Sequence, residues 1–89
     1  MKDIHLEVTY KDGRPWAAYL YLPRKQNEKS DHSVEVEPDM VLDINAQGTL
    51  IGIEFLNPEL VTLDAINAVL EQYGFEPLNE TALKPLIAA

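Results

Sequence analysis

Two apolar runs, "MVLDI" from Met40 and "TLIGIEFL" from Thr49, are separated only by Asn45, Ala46, Gln47 and Gly48. No other stretch constrains the fold as tightly. Asn at the first position and Gly at the fourth suit a type I turn whose glycine takes the left-handed conformation and forms a bulge. The two runs are therefore predicted to be strands of one β-hairpin. The second run holds a single carboxylate, Glu54. In a regular pleat Ile51, Ile53 and Phe55 share one face, and Leu50, Gly52, Glu54 and Leu56 share the other. A glycine inside a strand marks a place where a neighbouring backbone or side chain comes close, so something is expected against Gly52.

Upstream, Ile4, Leu6, Val8 and Tyr10 alternate with polar residues, the period of a half-buried strand. Asp12-Gly13 supplies turn chemistry after it. The next run, "PWAAYLYLP", is aromatic and β-prone, with prolines only at its ends. Its alternation places Trp16, Ala18, Leu20 and Leu22 on one face, and Ala17, Tyr19 and Tyr21 on the other. Both faces are largely apolar, which predicts a central strand. Arg24 to Ser33 lacks any aliphatic or aromatic residue and reads as a mobile loop. Val34 and Val36 then mark a short strand, stopped by Pro38.

After Pro58 the period changes. Leu63, Ile66, Leu70 and Tyr73 recur at spacings of three and four, with Val69 alongside, which is a helix with one apolar stripe. Thr62 is its predicted cap, Asp64 complements the dipole in the first turn, and Gly74 stops it. A helical turn from Asn79 and an apolar tail complete the chain. Strands first and a helix last predict an α+β fold: an antiparallel sheet of about five strands with one C-terminal helix, residues 62–73, packed on one face. The expected organisation is a single small domain over residues 1–89, with the sheet in 3–56 and a tail over 75–89.

The chain has 89 residues and no cysteine. Disulfide frameworks, thiolate zinc sites and cysteine nucleophiles are excluded, and a cytoplasmic location is expected, because secreted domains of this size are usually stapled. The opening "MKDIHLEVTY" alternates where a signal peptide would run apolar. Charge is distributed unevenly. Residues 1–29 carry six cations and four acids, whereas residues 30–89 carry one cation, Lys84, and eleven acids, for a net charge of −8. The field around the second part is negative, which repels phosphate backbones and attracts basic partners. Nucleic acid and membrane are not expected partners, although Arg14, Arg24, Lys25 and Lys29 form a small basic set.

The aromatic strand "AAYLYL", the valine-and-acid strand "VEVEP" and the hairpin "MVLDINAQGTLIGIEFLNP", in that order, resemble the bacterial family catalogued as domain of unknown function 2283. The elements that match its pattern are Ala17 to Leu22, Val34 to Pro38, Val41 to Asp43, Gly48, and Gly52 to Glu54; the resemblance spans roughly residues 8 to 60. Of the acids that the pattern places before the tyrosine strand, only Asp12 is present here. The resemblance implies a fold and an association of some members with small basic proteins, but no activity, substrate or cofactor.

No catalytic constellation stands out. His5 lies beside Glu7 on a strand and His32 beside Asp31 in a loop, too few and too scattered for a transition-metal site. "SDHS" from Ser30 holds the residue types of a hydrolase triad, but adjacent loop residues lack its geometry. Asp39, Asp43 and Asn45 do not follow calcium-loop spacing. The expectation is a non-enzymatic module for protein interaction or oligomerisation, a homodimer or a complex with a possibly basic partner, with no cofactor. Its candidate surface comprises Glu54, Leu50, Leu56, Trp16, Tyr19 and Tyr21. Two alternatives are an antitoxin-like partner of a small basic toxin, and a small-molecule or metal-binding domain built on Glu54 with His5 or Tyr19.

Overall fold

A computed structural model describes residues 4–23, 29–37 and 39–87. Five strands form one antiparallel sheet: β1 (His5–Lys11), β2 (Arg14–Tyr21), β3 (His32–Val36), β4 (Met40–Ile44) and β5 (Leu50–Phe55). Their order across the sheet is β1, β2, β5, β4, β3. The apolar strand β2 thus lies inside the sheet, as its two-sided apolar character predicts, and the shorter, more polar β1 and β3 form the edges. Of the loop expected over residues 24–33, residues 24–28 fall outside the described residues, as do Arg24 and Lys25 of the basic set, whereas His32 and Ser33 are strand residues, because β3 begins at His32.

Turn chemistry fixes the registers. Lys11 pairs with Arg14, and between them Asp12 and Gly13 have φ of 55° and 78°, the two left-handed residues of a type I′ hairpin. In the β4–β5 turn Gly48 has φ 85°, and its amide donates to the Asn45 carbonyl at 3.0 Å. The buried Asn45 side chain accepts from the amides of Gln47 and Thr49 at 3.0 and 2.9 Å. The turn is therefore closed from both chain directions, and the hairpin forms as its sequence predicts.

Two bulges interrupt the alternation. Thr9 pairs with Ala17 but Tyr10 with Pro15, so Trp16 is the extra residue of β2. Asp43 pairs with Gly52 but Ile44 with Leu50, which makes Ile51 the extra residue of β5. Each bulge reverses the facing of the residues beyond it, with consequences for the expected surface described below.

The core occupies one side of the sheet. Leu20, Leu42, Ile53 and Phe55 lie beneath Ile66, Val69 and Leu70 of helix α1 (Leu63–Gln72), all buried. At about 1.5–3 kcal/mol for each fully buried aliphatic or aromatic side chain, this layer supplies most of the stabilisation. Thr62 caps α1 through an acceptor contact from the Ala65 amide at 3.1 Å. At the other end Gly74 has φ 86°, and the Phe75 amide donates to the Leu70 carbonyl at 2.8 Å, which closes the helix in a Schellman arrangement.

Beyond α1 the structure departs from expectation. A 3-10 turn at Pro58–Leu60 precedes α1, and a second helix, α2 (Glu80–Ile87), occupies most of the stretch expected to be a tail. Asn79 caps it, accepting from the Ala82 amide at 3.1 Å, so the predicted turn at Asn79 is the start of a longer helix. The connecting segment is held by Asn67, which donates to the Leu78 carbonyl at 2.9 Å and accepts from the Leu78 amide at 2.8 Å. Among the described residues no helix is long and apolar enough to cross a membrane. Asn67→Ala is expected to lower stability by about 1–2 kcal/mol, the loss of two partly buried hydrogen bonds. A reduced urea midpoint and faster exchange of the Leu78 amide hydrogen would confirm the clamp.

Candidate functional site

The helices cover one face of the sheet and leave the other uncovered. The strand registers place ten residues of that second face in two rows. The first runs Glu7, Tyr19, Glu54, Val41, Glu35, and the second His5, Tyr21, Gly52, Asp43, Ser33. Four of the ten are carboxylates and none is lysine or arginine.

The centre of this face is a crossing. Tyr19 on β2 leans over Gly52 of β5 and donates from its hydroxyl to Asp43 Oδ2 on β4 at 2.6 Å. A Cβ on Gly52 would coincide with the phenol of Tyr19, so only glycine leaves room for the ring. The close approach expected at Gly52 is thus made by a tyrosine, the arrangement in which an aromatic neighbour shields a strand glycine. Ser33 on β3 donates to the other oxygen of Asp43 at 3.0 Å. One carboxylate thereby links β2, β4 and β3 across the face. With an ionised acceptor, each such bond contributes about 1.5–3 kcal/mol.

A second cluster forms toward β1. Tyr21 donates to Glu7 Oε1 at 3.2 Å, His5 Nε2 lies 3.5 Å from Glu7 Oε2, and the His5 and Tyr21 ring centroids are 5.7 Å apart. Tyr19 and Tyr21 lie 4.5 Å apart, tilted by 59°, so the two networks meet as one half-buried aromatic floor. Glu54 stands next to this floor on the middle strand. It is exposed, and among the described residues no hydrogen bond or ion pair engages it.

The six residues expected to form a surface do not lie together. Tyr19, Tyr21 and Glu54 share the uncovered face. Leu50 is fully buried and belongs to the core, because the bulge at Ile51 turns it away from Glu54's side. Trp16, which unbroken alternation would place on the same face as Ala18 and Leu20, is 59% exposed. Its bulge turns it outward, and Lys11 Nζ sits 5.6 Å above its ring. Leu56, just past β5, is 52% exposed and lines an open groove with Trp16, Pro15, Lys11, Arg14 and Glu59. Asp43, Glu7 and Ser33 were not in the expected set. Asp43 and Glu7 meet the tyrosines, and Ser33 meets Asp43, only through strand pairing, which no local pattern reveals.

His32 approaches Asp31 at 3.0 Å. Among the described residues no three His, Cys, Asp or Glu side chains converge to hold a metal ion.

Gly52→Ala is expected to destabilise the domain by about 2–3 kcal/mol, because the Tyr19 ring must leave its place over β5. Introduced into a Tyr19→Ala background, the same change should cost much less. A chemical-denaturation double-mutant cycle measures the difference, and additive effects would refute the crossing.

A family model described as protein of unknown function (DUF2283) matches residues 17–57. No curated protein and no solved structure matches the chain. The matched segment begins in β2 and ends just beyond β5, and so contains Tyr19, Tyr21, Ser33, Asp43, Gly52 and Glu54. Over this segment the chain is similar to the DUF2283 family of proteins of unknown function.

Proposed function

We propose that the protein is a non-enzymatic interaction module that engages a basic protein partner in the cytoplasm. One observation carries this reading: among the described residues, the two paired rows on the sheet face that the helices leave uncovered hold four carboxylates and no lysine or arginine. A surface of one sign raises the encounter rate with partners of the opposite sign and disfavours others. A small basic toxin held by an antitoxin-like protein is one instance of such a partner. Cytoplasmic location rests on the cysteine-free composition.

A second reading, self-association, has its own support. Trp16 and Leu56 are large, exposed and on the same groove, and tryptophan with neighbouring arginine is typical of interface anchors. This groove lies at the β1–β2 turn.

The tagged protein, incubated with extract of its own cells at low salt, is expected to retain proteins of high isoelectric point. Raising the salt should release them, since the Debye length falls from about 10 Å at 0.1 M to about 3 Å at 1 M. Retention of acidic proteins, or retention indifferent to salt, would overturn the reading. Self-association predicts a dimer by light scattering at micromolar concentration that Trp16→Ser converts to monomer. A wild-type monomer under the same conditions eliminates it.

A further inference from the structure

We infer that the uncovered sheet face is the docking surface for that partner, and that Glu54 at its centre receives a lysine or arginine from a basic segment laid across the tyrosine floor. The inference rests on the interaction reading above and adds the place and the chemistry of contact.

Glu54 differs from the other carboxylates of the face. Asp43 is occupied by Tyr19 and Ser33, and Glu7 by Tyr21. These hydroxyl donors hold the two carboxylates in position. Because Tyr19 spends its hydroxyl on Asp43, no proton is donated from it to Glu54. Among the described residues Glu54 therefore has no partner for its charge on the middle strand, flanked in its row by Tyr19 and Val41. An arginine or lysine arriving there meets a carboxylate and, beside it, two tyrosine rings of the kind that attract cations. Central position and aromatic neighbours are properties of an interface hot spot.

The layout also selects the class of occupant. Glu7, Glu54 and Glu35 stand on alternate strands of the first row, and strands are about 4.8 Å apart, so consecutive carboxylates are separated by about 10 Å. A single cation does not bridge that distance, which favours a segment carrying several. Two copies of this chain stacked by the same face would oppose carboxylates on both sides, a costly arrangement. Nucleic acid is repelled by the same charges.

The test uses a fluorescein-labelled hexa-arginine peptide at low salt, with a hexa-glutamate peptide as control. Hexa-arginine is expected to bind, and amide shifts in the nitrogen–proton spectrum should concentrate at Tyr19, Tyr21, Val41 and Glu54. Glu54→Gln should weaken binding about fivefold, whereas Glu71→Gln, on the exposed side of α1, should change it less than twofold. Shifts concentrated on α1, or equal losses from the two substitutions, would overturn this docking surface and leave the basic-partner reading intact. Failure of hexa-arginine to bind at all would sink both. Concentration-dependent shifts at the same amides without peptide would identify a second copy as the occupant and likewise overturn the inference.

Discussion

The Tyr19 hydroxyl reaches Asp43 only because β5 has no side chain at Gly52. That bond spans three strands, from β2 over β5 to β4, and much of the uncovered face is organised by it. It ties the two neighbours of the central strand together on the side opposite the core, where no helix contributes packing. It also fixes register, because a one-residue slip of β5 would put Ile51 or Ile53 beneath the ring in place of Gly52. Ser33 extends the link to the edge strand β3, which otherwise has few buried residues to hold it. The core side is held by apolar burial, and the open side by hydrogen bonds to a carboxylate.

This division explains how the face remains open. An apolar sheet face exposed to water would need a cover or a second copy, and the two-sided apolar reading of β2 and β5 leads to that expectation. In the structure the apolar content is taken elsewhere. The bulge at Ile51 sends Leu50 into the core, and the bulge at Trp16 moves the indole to the groove near Leu56. What remains on the open side is mostly tyrosine, carboxylate, serine and histidine. The tyrosines shield the strand backbone while their hydroxyls are satisfied by acids, so the face is stable in water and still chemically distinctive.

The elements were legible in the sequence because each is set by local period or turn chemistry. The hairpin around Asn45 to Gly48, the cap at Thr62, the stop at Gly74 and the apolar stripe of α1 depend on residues within a turn of one another. The facing of Trp16 and Leu50 was not legible, since alternation assumes an unbroken pleat and each bulge inserts one residue. Helix α2 was read only as a turn because its run is short, and because its attachment depends on Asn67 meeting Leu78 across the chain. The site was half legible. Gly52 announced a close approach, but the identity of the approaching side chain required the strand order β2, β5, β4, which places Tyr19 and Asp43 on either side of it although they are 24 residues apart.

The placement of Glu54 follows from the same crossing. On a strand paired on both sides, its row neighbours are Tyr19 and Val41, neither of which offers it a cation. Lysine and arginine are absent from Ser30 to Leu83, so the strands β3, β4 and β5 contain no lysine or arginine with which to neutralise it. Among the cations of the β1–β2 turn, Lys11 lies over the Trp16 ring. A charge in this position costs little while water reaches it, and gains most when a partner brings both a cation and the apolar cover that excludes water. The bond between Tyr19 and Asp43 makes this possible, because it removes the nearest hydroxyl from competition and leaves the central carboxylate to be answered from outside the fold.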